Sequence, residues 1–344
     1  MINSAHTQLP TTAANSGARR LCVAPMMDWT DRHCRFFLRL ISKHAYLYTE
    51  MITTGAILHG DAERVLYYHP AEHPLALQLG GSDPGELAAC ARIAADFSYD
   101  EINLNVGCPS DRVRSGRFGA CLMAEPALVA DCVAALAEET SIPVTVKTRI
   151  GIDEQDSYDF LCAFVARTAA AGCSTFIIHA RKAWLQGLTP KENRDVPPLR
   201  YDLAYRLKRD FPQLEIILNG GITDLDQARH HLLHVDGVML GRAAYHNPYI
   251  LADVDCRLFS TPSSKVNRHT VIAHLLPYLE EELKNGTRFH HIVRHILGLF
   301  QGLPGARAWR RHLSEHSHRD NAGIAIIHQA LALVDSSRDR VDTA

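Results

Sequence analysis

Eight short runs rich in aliphatic and β-branched residues recur along the chain: LCVAPM from Leu21, AYLYTEM from Ala45, LALQLGG from Leu75, EINLNVGC from Glu101, VTVKTRIG from Val144, TFIIHA from Thr175, EIILNGG from Glu215 and GVMLGRA from Gly237. Their length and composition predict β-strands. In most of the gaps, over 84–97, 126–139, 157–171, 201–211 and 224–233, the pattern turns helix-like. Strands alternating with helices build a parallel sheet, and eight such units fit a closed (β/α)8 TIM barrel. An open doubly wound sheet, ordinarily of about five or six strands, is the weaker fit.

Beyond Asp255 the period changes. Ile272, Leu275, Leu276 and Leu279, then Ile292, Ile296 and Leu299, keep helical spacing with few β-like runs. The expected organisation is a barrel over 20–259 and a small all-helical domain over 265–338, joined through a segment containing Pro262. Residues 1–19 are polar, lack the apolar stretch of a secretory signal, and are expected to form a loose tail. No apolar run approaches the roughly 20 residues of a spanning helix, so no membrane contact is expected. Nine cysteines without a Cys-x-x-Cys pair argue against clustered metal ligation and point to a cytoplasmic protein. His291 and His295 stand four apart with no third ligand evident, and no metal is expected. The chain is expected to act as a monomer.

The net charge of −2 conceals an asymmetry: residues 1–255 hold 24 Lys and Arg against 30 Asp and Glu, whereas 256–344 hold 12 against 8. Between 284 and 319 there are seven basic residues and one acid, Glu315. Arg307, Arg310 and Arg311 stand three and four apart, a spacing suited to a track of phosphates. A solvated face is the ordinary fate of such a run, so charge alone leaves RNA contact open.

The polar residues that close the strands carry the chemistry, because the C-terminal strand ends form the active face of a barrel. They are Pro25-Met26-Met27, Gln78, Asn103 and Asn105 with Cys108, Lys147 with Arg149, His179 with Arg181, Asn219-Gly220-Gly221 and Gly241-Arg242. An interior filled by branched apolar side chains would need none of them. The last two groups follow the seventh and eighth strands, where barrels commonly bind phosphate and glycine lets backbone N–H groups approach an anion. Lys147 lies within a strand, where an unpaired charge is costly to bury, so it should point into the mouth at an anion or electron-rich group. A cation there would stabilise a reduced flavin, with Gln78 and His179 able to hydrogen-bond the ring and phosphate region. Taken alone, His179 reads as a satisfied core histidine. Cys108 sits at the rim between Gly107 and Pro109, before a Gly-rich basic stretch, 111–120, that reads as a mobile loop. A thiol is mostly protonated at neutral pH, so its natural role at that rim is proton donor.

The runs APMMDWTDRHCR, TEMITTGAI, LQLGG, INLNVGCPSDRV, VKTRIG, HARKAWLQGL, LNGGI and VMLGRAAYHNP together resemble the tRNA-dihydrouridine synthase family, and KENRDVPP from Lys191 resembles its A subfamily. The resemblance is dense over 21–249 and thinner beyond. It implies FMN held by the Pro25, Met26 and Met27 backbone, Gln78, Lys147, His179, Asn219, Gly220, Gly221, Gly241 and Arg242. It also implies that NADPH reduces the flavin, that hydride passes to C6 of a uridine in the tRNA D-loop, at position 20/20a, and that Cys108 protonates C5. The target base would leave its stack to reach the flavin. Asn105 is expected to touch the substrate nucleotide, and Lys191, Arg194, Arg307 and Arg310 to meet the tRNA. Rival readings are a flavin barrel acting on a free pyrimidine, such as a dihydroorotate-type dehydrogenase, and a non-catalytic RNA-binding protein on the same scaffold.

Overall fold

The computed structural model of the protein describes residues 17–261, 265–319 and 321–334. Its strands are β1 (Leu21–Val23), β2 (Leu47–Thr53), β3 (Leu75–Gly80), β4 (Glu101–Val106), β5 (Val144–Arg149), β6 (Thr175–His179), β7 (Glu215–Asn219) and β8 (Gly237–Leu240). All pair in parallel, in the order β1-β8-β7-β6-β5-β4-β3-β2. The ring closes where the Val23 N–H donates to the Tyr46 carbonyl and the Tyr46 N–H to the Leu21 carbonyl, both at 2.9 Å. The eight runs read from the sequence are these eight strands, and the fold is the expected (β/α)8 barrel with further helices after it.

Local capping sets where the outer helices begin. Asp83 accepts the Glu86 N–H at 2.8 Å and Pro84 opens the helix Pro84–Ala95. Ser157 caps Tyr158–Ala170 through the Phe160 N–H at 3.1 Å, and Asp224 caps Leu225–His231 through Asp226 and Gln227. Side chains such as Leu87, Cys90 and Ala94 join the outward-facing Leu75, Leu77 and Leu79 of β3 in one buried layer. Each large apolar side chain buried there contributes about 1.5–3 kcal/mol.

The inner wall departs from the expectation of branched apolar filling. Its apolar cluster is Cys22, Ala24, Tyr46, Tyr48, Ala76, Ile177, Ile217 and Met239. The rest is polar. At the floor, Arg19 pairs with Glu101 at 2.6 Å and with Glu215 at 3.0 Å. Glu101 also accepts from the hydroxyls of Tyr48 at 3.0 Å and Thr145 at 2.5 Å. From there a file of side chains climbs the barrel: Asn103 donates to Thr145 at 2.7 Å, Gln78 to Asn103 at 2.8 Å, and Asn105 to Gln78 at 2.9 Å. Burial of these groups is tolerated because each is hydrogen-bonded. The Arg19 Nη2 atom is buried without a partner among the described residues, and its guanidinium lies 5.0 Å from the Tyr46 ring centroid, a cation–π contact.

After the barrel come the helices Arg268–Lys284, Phe289–Val293, Ala306–His316 and Ile324–Leu331. They gather around the buried Trp309, whose indole N–H donates to the Ile296 carbonyl at 3.2 Å. A seam ties them to the helix Arg32–Ile41, which follows β1. Phe36 and Tyr278 stack at 3.9 Å, and His33 hydrogen-bonds the Tyr278 hydroxyl at 2.7 Å. Arg32 grips Glu282 through two hydrogen bonds, of 2.5 and 2.7 Å, while Asp31 receives Arg294 at 2.6 Å and His295 at 3.0 Å. Residues 1–16 of the expected tail, 262–264 of the expected joint and 335–338 at the expected end of the helical domain lie outside the described residues. Arg19, counted with the tail, is buried under the barrel floor. Among the described residues no helix is long and apolar enough to cross a membrane.

Candidate active site

The C-terminal strand ends open into a cleft of about 1540 Å³. Every residue expected around a flavin borders it, together with Cys108, Asn105 and Arg194. Lys191, Arg307 and Arg310 do not: Lys191 and Arg307 are exposed elsewhere, and Arg310 is half-buried on the helix Ala306–His316. The basic residues of the helical part that reach the cleft are Arg288 and His291.

Cys108 leaves β4 in a turn held from several sides. Asn105 Oδ1 accepts the N–H groups of Gly107 at 3.2 Å and Cys108 at 3.0 Å, and Arg149 Nε donates to the Gly107 carbonyl at 2.9 Å. The Cys108 carbonyl accepts from the Ala120 N–H at 2.9 Å, and Sγ lies 3.5 Å from the Ser110 hydroxyl. The 111–120 stretch, read as a loop, forms the helical turn Asp111–Ser115 and leads into a 3₁₀ segment, Gly119–Ala124. Gly119 has φ +75°, and a Cβ there would stand 2.5 Å from the Cys108 carbonyl oxygen. Asn105, expected to touch a nucleotide, therefore also orients the thiol's backbone, with one side-chain N–H left over.

Across the mouth the field is positive. Lys147 donates to Asn219 Oδ1 at 3.1 Å, and Asn219 donates to the Met239 carbonyl at 2.8 Å. Burial pushes the Lys147 pKa down to about 7; Arg149 adds to the fall and Cys108 opposes it. Burial likewise lowers Arg149 to about 10. His179 is driven well below its ordinary range by burial and then by Arg149, Lys147, Arg181 and Arg194, so its ring is neutral at pH 7. Arg194 is lowered by burial and by Arg242. Arg181 Nε is buried with no partner among the described residues. Asp195, in KENRDVPP, pairs with Arg242 at 2.7 and 3.2 Å. Cations crowded this way in a partly dry mouth attract an anion. Gly220 (φ +114°) and Gly221 (φ +74°) line the same side, where a Cβ would meet His179 Cδ2 at 2.7 Å or the Tyr201 hydroxyl at 2.6 Å. Only glycine fits both positions.

Sequence reasoning passed over several groups here. Glu50 of β2 accepts the N–H of Asp28, a non-glycine residue at φ +64°, and so fixes the loop after Pro25. Asp31 and His295 are 264 positions apart in sequence, and a carboxylate so distant gives no local signal. Asp195 was visible in its motif but not as the partner of Arg242.

The model of the family described as dihydrouridine synthase matches residues 22–335, from β1 to beyond the last described helix. The chain belongs to the dihydrouridine synthase family. Among proteins similar to this synthase, one from Shewanella oneidensis named tRNA-dihydrouridine(20/20a) synthase is 63% identical over 318 residues, covering 92% of this chain and 95% of that one. One of the same name from Salmonella typhimurium is 58% identical over 332 residues, covering 96% of this chain and 100% of that one. A solved structure of 2-naphthoyl-CoA reductase with 2-naphthoyl-CoA superposes with a TM-score of 0.53 at 11% identity, over 68% of this chain and 49% of that one. At that identity the likeness concerns the barrel fold alone. The family resemblance drawn from the motifs holds.

Proposed function

We propose that this dihydrouridine synthase reduces uridine to 5,6-dihydrouridine at position 20/20a of the tRNA D-loop, with FMN bound in the cleft and NADPH as reductant. The observation that carries the reading is the gathering of Cys108, a cationic mouth and a two-glycine cradle in one cleft, in a chain 58–63% identical over nine-tenths of its length to proteins named for that reaction. The fit to FMN rests on features of the fold. The positive-φ pair Gly220-Gly221, where a Cβ has no room, suits a phosphate, and Gly241 and Arg242 line the same cleft. Lys147 suits the electron-rich edge of the ring, and Pro25 to Met27, Gln78 and neutral His179 its remaining polar atoms.

When bound, FMN supplies the hydride for uracil C6 after reduction by NADPH. The chain's own residues do the rest. Cys108 holds a proton for C5, Asn105 keeps the Cys108 backbone in place, and Lys147 with Arg149 stabilises negative charge that develops in the mouth. We assign 20–259 to catalysis and 265–338 to holding tRNA, with Lys191, Arg194, Arg307 and Arg310 as candidate phosphate contacts. Dihydrouridine mapping in tRNA from cells lacking the protein tests the assignment. Loss at 20/20a, restored by the wild type and not by Cys108→Ala, is expected. Retention at 20/20a with loss elsewhere would overturn the position, and a folded protein without flavin absorbance after FMN supplementation would overturn the cofactor.

A further inference from the structure

Two of the large apolar side chains exposed among the described residues stand on the rim of the cleft: Met27, 55% exposed, and Tyr67, 50% exposed. Tyr67 follows the short helix Ala62–Leu66 in extended conformation. Its hydroxyl makes no hydrogen bond with the described residues, whereas that of its neighbour Tyr68 donates to the Phe97 carbonyl. Folding thus gains little from this ring. Its ring contact is with Arg32, whose guanidinium lies 5.1 Å from the ring centroid. Arg32 is itself clamped by two hydrogen bonds to Glu282, which also accepts the Thr287 hydroxyl at 2.7 Å. Arg32 of the barrel, held by Glu282 of the helical part, therefore backs the ring, and Tyr67 borders the cleft.

The surroundings are cationic. Arg64, Arg288 and His291 are exposed and border the same cleft. The ion pair of Arg64 with Asp61 is 3.8 Å long and exposed, and so weak. A flat aromatic face held in place by a guanidinium and flanked by cations is what single-stranded nucleic acid uses: bases stack on the ring and phosphates meet the cations. We propose that Tyr67 is a stacking platform for a tRNA base adjacent to the uridine that enters the cleft. This rests on the function proposed above and adds a residue that holds the opened strand. Because Arg32 already fixes the ring, little side-chain freedom is lost when a base lands on it.

The test measures binding of an unmodified tRNA transcript to the flavin-loaded enzyme, by filter retention over a range of salt, for Tyr67→Phe, Tyr67→Leu and Tyr67→Ala. Phe keeps the ring and should bind within about twofold of wild type. Ala should bind about 5- to 150-fold more weakly, the loss of one stacked base. Leu, which keeps bulk without a π-face, should fall with Ala. The salt dependence should keep its slope in all three, since stacking releases no counterions, whereas Arg288→Ala should flatten it by about one unit. Flavin content equal to wild type serves as the control for folding. Equal tRNA affinity in wild type and Tyr67→Ala would overturn the platform, as would Leu binding as well as Phe. A raised KM for NADPH with unchanged tRNA affinity would overturn it too, assigning the ring to the reductant's adenine. If the wild-type enzyme neither binds nor reduces tRNA, the proposed function itself fails.

Discussion

Lys147 is buried in the mouth with a pKa lowered to about 7, so its charge is lost across the neutral range unless an anion restores it. A bound anion favours the protonated amine. FMN affinity of the apoprotein should therefore be full below pH 7 and fall as pH rises from 7 towards 9, a range in which the phosphate, with a second pKa near ~6, stays dianionic. Lys147→Met should bind FMN about 1.5–3 kcal/mol more weakly and lose that pH dependence, as read by quenching of flavin fluorescence. A methionine variant with the wild-type slope would move the titration to another group. In the proposed reaction, Cys108 separates the two halves. Reduction by NADPH requires no proton for the uracil, so Cys108→Ala should be reduced at close to the normal rate. Its reoxidation by tRNA should slow by the ~10²- to 10⁴-fold that a positioned acid supplies. Anaerobic stopped-flow absorbance resolves the steps, and wild-type reoxidation in the variant would assign the proton to a different donor.

At the level of elements, the turn after β4 depends on the absence of one carbon atom. Gly119→Ala would force φ +75° on alanine and press its Cβ to 2.5 Å from the Cys108 carbonyl oxygen, at a cost of about 1–3 kcal/mol. The thermal midpoint should drop and the alkylation rate of Cys108 should change; an unaltered rate would mean that the 3₁₀ segment does not position the thiol. The eight strands were legible because each is a short apolar run closed by distinctive polar residues, and Lys147 because a cation within a buried strand demands a reason. Arg19 was not, since its partners Glu101 and Glu215 lie 82 and 196 positions away. The same distance effect hid the seam, where Asp31 and Arg32 reach across the fold to Arg294, His295 and Glu282. The amide file was half visible: Gln78, Asn103 and Asn105 stood out as strand-end polar residues, but their bonding to one another follows from the register that sets Gln78 beside Asn103. Asp28 and Gly119 show positive φ that a linear pattern does not announce.

Over the whole molecule, Arg307 and Arg310 of the basic helical face lie away from the cleft, whereas Arg288 and His291 of the same helical part border it. Arg307→Ala and Arg310→Ala should raise the apparent KM for tRNA and each reduce the salt slope by about one unit, while NADPH oxidation without tRNA stays the same. Binding as tight and as salt-sensitive as wild type in both variants would leave that face as plain surface. The side-chain file inside the barrel has a sense of direction. Glu101, paired with Arg19, offers oxygens that only accept, so Thr145 must give its proton downward and receive from the Asn103 amide above. That turns the Asn103 oxygen towards Gln78, and the Gln78 oxygen towards Asn105. Asn105 is left with its own oxygen facing the Gly107 and Cys108 amides. The row of amides is thus pinned from both ends, by a carboxylate that only accepts at the floor and by two backbone N–H groups that only donate at the rim. Glu101→Gln, which supplies a donor where there was none, would set the two ends at odds, because a row turned the other way would point an Asn105 N–H at the Gly107 and Cys108 N–H groups.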